Sequence, residues 1–110
     1  ELMKDSTDLR LSHEMFYEDV CYFDKVASRQ VELLNSENIG VRVDYPDFTS
    51  LGVWQAKDAP FLCIEPWCGS ADFDDCSGVF AEKRGIEILA PGAEKTFTYA
   101  ITAVEHKAKV

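Results

Sequence analysis

The chain has 110 residues, 46% hydrophobic and 28% charged, the make-up of one ordinary globular domain or less, long enough to bury a real core. Twenty acidic against eleven basic residues give a formal charge of -9, which argues against nucleic acid and anionic membrane as partners and leaves a neutral or cationic small ligand. No apolar run approaches the roughly 20 residues that span a bilayer, and Glu1-Leu2-Met3-Lys4-Asp5 has no signal-peptide pattern, so a cytoplasmic location is expected.

The chain opens without an initiating Met, in mid-pattern, which points to the trimmed or truncated end of something longer. Residues 8 to 26 mix apolar and acidic positions with no clean period; Ser12 followed by Glu14 permits a turn of helix. Ala27 to Leu34 puts Val31 and Leu33 on one face and Gln30 and Glu32 on the other, a strand ending at the turn-forming Asn35-Ser36-Glu37-Asn38. Ile39, Val41, Val43 and Tyr45 then alternate with Gly40, Arg42 and Asp44, the mark of a half-buried strand, and Pro46-Asp47 ends it. Two such runs across a short polar turn predict a hairpin. Leu51-Gly52-Val53-Trp54 is a further short apolar segment, and Lys57-Asp58-Ala59-Pro60 turns the chain into the next strand.

That strand, Pro60-Phe61-Leu62-Cys63-Ile64-Glu65-Pro66-Trp67, carries one acidic residue at the end of an apolar run. Alternation groups Phe61, Cys63 and Glu65 on one face, with Leu62 and Ile64 on the other, and the Glu65 face is expected to be mostly covered. A residue before proline is pushed toward extended angles, so Pro66 aims the Glu65 carboxylate in a fixed direction. Proline also lacks a ladder donor, so regular pairing is expected to stop there. A carboxylate beside Trp67 suits a sugar: the indole face meets the apolar C–H surface of a pyranose, and the carboxylate meets its hydroxyls or serves as a general base. A strand-end salt bridge is the plainer alternative.

After Trp67, the acidic stretch from Cys68 to Gly78 reads as a solvated loop at the mouth of a site; its aspartates do not have the spacing of a calcium loop. Ile86 and Ile88 lead through a turn at Ala90-Pro91-Gly92-Ala93 to an amphipathic strand, with Phe97, Tyr99, Ile101 and Ala103 inward and threonines outward. Glu105 to Val110 is a charged tail. The four cysteines, Cys21, Cys63, Cys68 and Cys76, lack zinc-site spacing and read as reduced thiols, with one disulfide or a metal site as lesser alternatives. About six short strands and little helix predict an all-β fold, an antiparallel β-sandwich or part of one.

With these pieces in order, the sequence resembles the C-terminal portion of the aldose 1-epimerase (galactose mutarotase) family, most closely its bacterial LacX-type branch. The residues that carry the resemblance are Phe16-Tyr17-Glu18-Asp19, the run Pro60 to Gly69 with Cys63-Ile64-Glu65-Pro66-Trp67 at its centre, Lys83 with Gly85-Ile86, and Leu89-Ala90-Pro91-Gly92 followed by Tyr99-Ala100-Ile101. It covers almost the entire chain. The resemblance implies that residues 1–110 form a single partial domain, the C-terminal part of a larger sandwich. It also implies interconversion of the α and β anomers of a hexose without a cofactor or metal. On this match Glu65 is the general base, and Asp19, Trp54 and Trp67 contact the sugar. The histidine that acts as acid lies upstream of the matched region; His13 and His106 stand in no matching context, so the acid is expected from a missing N-terminal portion. A noncatalytic carbohydrate-binding β-domain is the alternative. A third possibility is a half-sandwich that needs a partner, such as that missing portion or a homo-oligomer, to cover its sheet edge.

Overall fold

The structure, a computed structural model, describes residues 7–107. Of the charged tail, residues 108–110 lie outside the described residues, as do residues 1–6 at the start. The fold is all-β, a small sandwich of two antiparallel three-stranded sheets. The strands are β1 (Cys21–Phe23), β2 (Gln30–Leu34), β3 (Ile39–Asp44), β4 (Ser50–Trp54), β5 (Cys63–Trp67) and β6 (Ala100–Glu105). One sheet has the order β1-β4-β5 and the other β2-β3-β6. Short 3-10 turns at His13–Phe16 and Phe80–Glu82 complete the regular structure of the described residues, and no helix among them is long and apolar enough to cross a membrane.

The predicted hairpin is β2–β3, with Val31 opposite Val43 and Leu33 opposite Val41. Its turn closes through Asn35, whose side-chain oxygen accepts the amides of Glu37 and Ile39, while Asn38 takes a left-handed φ of 62° that asparagine tolerates. β6 pairs with the other side of β3, placing Ile101 opposite Val43 and Thr102 opposite Arg42, which keeps the apolar and threonine faces apart; but the strand begins only at Ala100 and takes in Glu105 of the expected tail, and Tyr99, Ile101 and Ala103, expected inward, are exposed because the opposite sheet does not reach over them.

The core lies between the sheets and is small. It consists of Phe16, Cys21, Val43, Tyr45, Leu51 and Val53, with Ile64, Leu62 and Phe23 packed against it. Tyr45, just after β3, is fully enclosed at 0% exposure, and burial pushes its hydroxyl pKa up. Burial likewise raises the Cys21 thiol.

Two expectations are corrected. Where a turn of helix is the only element expected in residues 8 to 26, the strand β1 also forms, three residues that pair with Leu51 to Val53. The apolar Ile86 and Ile88 stay outside the sheets, since the Ile86 amide bonds back to the Lys83 carbonyl and Gly85 adopts a φ of 71°, which turns the chain there. Pairing also does not stop at Pro66, which sits opposite Leu51 with Trp67 opposite Ser50. β5 is an edge strand, the place in a sheet where proline is tolerated.

Candidate functional site

The register of β4 decides where Glu65 points. Val53 pairs with Ile64 and belongs to the core, so its neighbour Gly52, which pairs with Glu65, faces the other way. Glu65 therefore lies on the outer side of the β1-β4-β5 sheet, half-buried, and the covered face is that of Leu62 and Ile64. Glu65 shares its face with Cys63, as alternation predicts, and both are half-buried; the expectation that this face is the mostly covered one is corrected, because Phe61 is exposed and the side that packs on the core is that of Leu62 and Ile64.

Three of the four sequence-predicted residues share this outer face. Ser50 pairs with Trp67, Gly52 with Glu65 and Trp54 with Cys63, so Glu65 stands between a Trp67 row and a Trp54 row. Trp67 Nε1 donates to Glu65 Oε2 at 3.1 Å, and the second carboxylate oxygen has no protein partner among the described residues. The indole lies directly over Gly52: a Cβ there would sit 3.0 Å from Cε2 and Cζ2 of the ring. Glycine suits this position because the aromatic ring uses the space a side chain would fill, and a Cβ would push the ring back by a few tenths of an ångström. Trp54 packs edge-on against Phe61 at 6.3 Å between centroids.

Asp19 is not part of this arrangement. It is exposed before β1, and its carboxylate accepts the Val20 amide at 2.7 Å. The two histidines also lie elsewhere. His13 is hydrogen-bonded through Nδ1 to the Gln55 side chain, beyond the end of β4 and about 10 Å along the strand from the Gly52–Glu65 pair. His106 follows β6 in the other sheet and contacts Glu32 at 2.9 Å.

Sequence reasoning missed the neighbouring half of the face. Tyr22 of β1 pairs with Gly52 and packs its ring against Trp67, 5.4 Å between centroids. Its hydroxyl lies 3.2 Å from both Asp24 Oδ1 and Ser50 Oγ. Arg84 closes the cluster from the loop after β5, donating to Asp24 Oδ2 at 3.2 Å while its guanidinium lies 3.8 Å above the Phe73 ring. The loop is fastened at its base by Gly69 and Gly85, both with positive φ, where a Cβ on Gly85 would come within 2.9 Å of the Gly69 amide nitrogen. The acidic stretch is largely exposed, as expected of a solvated loop, and it is folded back on itself as a flap. It encloses a cleft of about 380 Å³ and carries an ion pair from Lys83 to Asp72 at 3.3 Å. The alternation of Tyr22 and Asp24 against Cys21 and Phe23 was a usable signal for β1; the Asp24–Arg84 pair, 60 residues apart, left none.

All four cysteines are free, Cys21 buried and Cys76 exposed, and the described residues hold no group of three or more metal-ligating side chains. What the fold and site define is an all-β protein with an aromatic and carboxylate face on one sheet: two rings in tilted contact, a carboxylate with one oxygen unpartnered among the described residues, and a hydroxyl–carboxylate–guanidinium cluster beside them. No family model matches the chain, and no curated protein or solved structure matches it.

Proposed function

We propose that the outer face of the β1-β4-β5 sheet is a hexose site and that Glu65 is its general base, the base-bearing part of an aldose 1-epimerase-like enzyme that interconverts α and β anomers. The observation that carries the reading is the Glu65–Trp67 pair. A flat apolar ring and a carboxylate with one oxygen unpartnered among the described residues, held by a hydrogen bond between them, are what a pyranose needs from its floor and from the group that takes the proton of its anomeric hydroxyl. The Tyr22 ring beside Trp67 widens that floor. On this reading the carboxylate takes the proton of the anomeric hydroxyl while an acid protonates the ring oxygen, the C1–O5 bond breaks to leave an aldehyde at C1, the C1–C2 bond rotates, and closure on the other face reverses the transfers. The acid comes from outside residues 1–110, no cofactor takes part, and the protein works in the cytoplasm with its thiols reduced.

The position of the histidines favours one second reading, a noncatalytic carbohydrate-binding sheet. His13 bonds Gln55 and His106 contacts Glu32, which leaves Glu65 without an imidazole beside it among the described residues. A positioned acid typically contributes about 10²–10⁴-fold, so a face without one binds far better than it turns over.

Polarimetry of freshly dissolved α-glucose and α-galactose separates the two. Acceleration of mutarotation that the Glu65→Gln change abolishes supports the enzyme. Sugar binding with no acceleration supports the binding sheet, and neither binding nor acceleration removes the hexose reading altogether.

A further inference from the structure

The second sheet ends in a strand whose inner face and outer edge are both open. Along the row that crosses the sheet at Val43, exposure rises from 4% at Val43 to 65% at its β6 neighbour Ile101, and Tyr99 just before β6 is 58% exposed. The β1-β4-β5 sheet covers β3 but leaves the same apolar row bare on β6. The free side of β6 has no partner among the described residues, because β6 is terminal in its sheet. The other terminal strands are guarded in ways that β6 is not: β1 is three residues long, β5 contains Pro66, and β2 carries Glu32 at its centre. β6 is six residues, Ala-Ile-Thr-Ala-Val-Glu, with neither proline nor lysine and its one charge at the end. An open, flat, apolar edge of this kind is a template for strand pairing. The Cα radius of gyration is 16.5 Å, against about 13 Å for a compact domain of this length, in keeping with layers that are not fully covered.

We infer that β6 pairs antiparallel with β6 of a second copy, across a two-fold axis through Thr102, to make one continuous six-stranded sheet. The strand is self-complementary in that register. Thr102 meets its own counterpart, Ile101 meets Ala103 of the other copy, Ala100 meets Val104, and Tyr99 meets Glu105, so no like charges stand opposite one another. A two-fold axis perpendicular to the sheet keeps each face on its own side, so the bare rows of Tyr99, Ile101 and Ala103 from the two copies become neighbours on the inner face. The charge of -9 on each copy opposes the approach, and salt screens that repulsion. The pairing therefore tightens as ionic strength rises.

Sedimentation velocity of the chain from micromolar to near-millimolar concentration tests this, at low and at physiological salt. The expected result is a dimer that strengthens with salt, and at least a tenfold weakening in the Ile101→Lys variant. Because Ile101 is largely exposed, that variant keeps its fold, which circular dichroism checks. Hydrogen exchange on the unmodified chain gives an independent reading: amide protection in β6 increases with protein concentration. A monomer throughout the range overturns the inference, and so does an Ile101→Lys variant that dimerises as tightly as the original or β6 protection that ignores concentration.

Discussion

Replacing Gly52 by alanine tests the site through a single methyl group. The added Cβ falls 3.0 Å from two carbons of the Trp67 ring and 3.3 Å from Nε1, closer than ordinary van der Waals contact, so the indole must retreat by a few tenths of an ångström. The Trp67–Glu65 hydrogen bond, already 3.1 Å long, has little room to stretch. Its loss costs about 1 kcal/mol at this half-buried position, within the net range for a hydrogen bond to a charged group once solvent is allowed for. Alanine in a strand in turn gains about 0.5–1 kcal/mol over glycine by restricting the unfolded chain. The two effects nearly cancel, so Tm moves by no more than a few degrees. Binding has no such compensation. On the proposed hexose site, a displaced ring that no longer meets the sugar face would cost about 1 kcal/mol of affinity, roughly a fivefold weaker Kd. The assay combines thermal unfolding, hexose titration and the Trp67 indole N–H resonance. A Gly52→Ala variant whose indole resonance is unmoved and whose hexose affinity equals the original would refute the placement of the ring in the site.

Three further outcomes follow from the same coordinates. Gly85→Ala forces a left-handed residue and a 2.9 Å approach to the Gly69 backbone, a strain of about 2–3 kcal/mol that lifting the flap relieves, so trypsin cuts at Arg84 faster than in the original chain; equal cleavage rates would contradict the flap closure. Hydrogen bonds from Gln30, then from Arg42, hold the Asp44 carboxyl below its ordinary value of 3.8. A depressed folded pKa gives stability that is present above the unfolded value and lost as pH falls through the folded one, so Asp44→Asn flattens the acid limb of the stability curve; an unchanged limb would refute the contribution. Thiol labelling modifies exposed Cys76 first and buried Cys21 only on unfolding, and burial of the thiol reinforces this by holding it protonated as pH rises past 9.0; Cys21 labelling as fast as Cys76 would contradict the core.

The hairpin β2–β3 and the short strands β4 and β5 were legible because alternation is strong wherever one side of a strand is covered, as at Val41, Val43 and Tyr45. The direction in which Glu65 points was not. Phe61 and Cys63 are as apolar as Leu62 and Ile64, and the choice between the two faces is made by pairing to Leu51 and Val53 on β4. β1 was missed although Tyr22 and Asp24 alternate with Cys21 and Phe23, because so short a strand does not stand out from the aperiodic stretch around it. Ile86 and Ile88 lead into the expected turn and form no strand, the Ile86 amide and the Glu87–Lys95 ion pair being used in local turns. Of the site, the Glu65–Trp67 pair could be read from spacing on one strand, and Trp54 joined it through its pairing partner Cys63. Tyr22, Asp24, Ser50 and Arg84 meet only through tertiary structure. Asp19 was placed by the resemblance, and its carboxylate is turned to its own neighbour's amide.

The central claim is that a hexose lies on the Trp67–Glu65 face, and the most direct test is an NMR titration of the isotope-labelled chain with galactose and with glucose. If a hexose binds there, the Trp67 indole N–H and the amides of Tyr22, Gly52 and Glu65 shift together with one dissociation constant, while the β2-β3-β6 sheet stays still. Resonances that do not move at saturating sugar, or that move only on the β2-β3-β6 sheet, would contradict it.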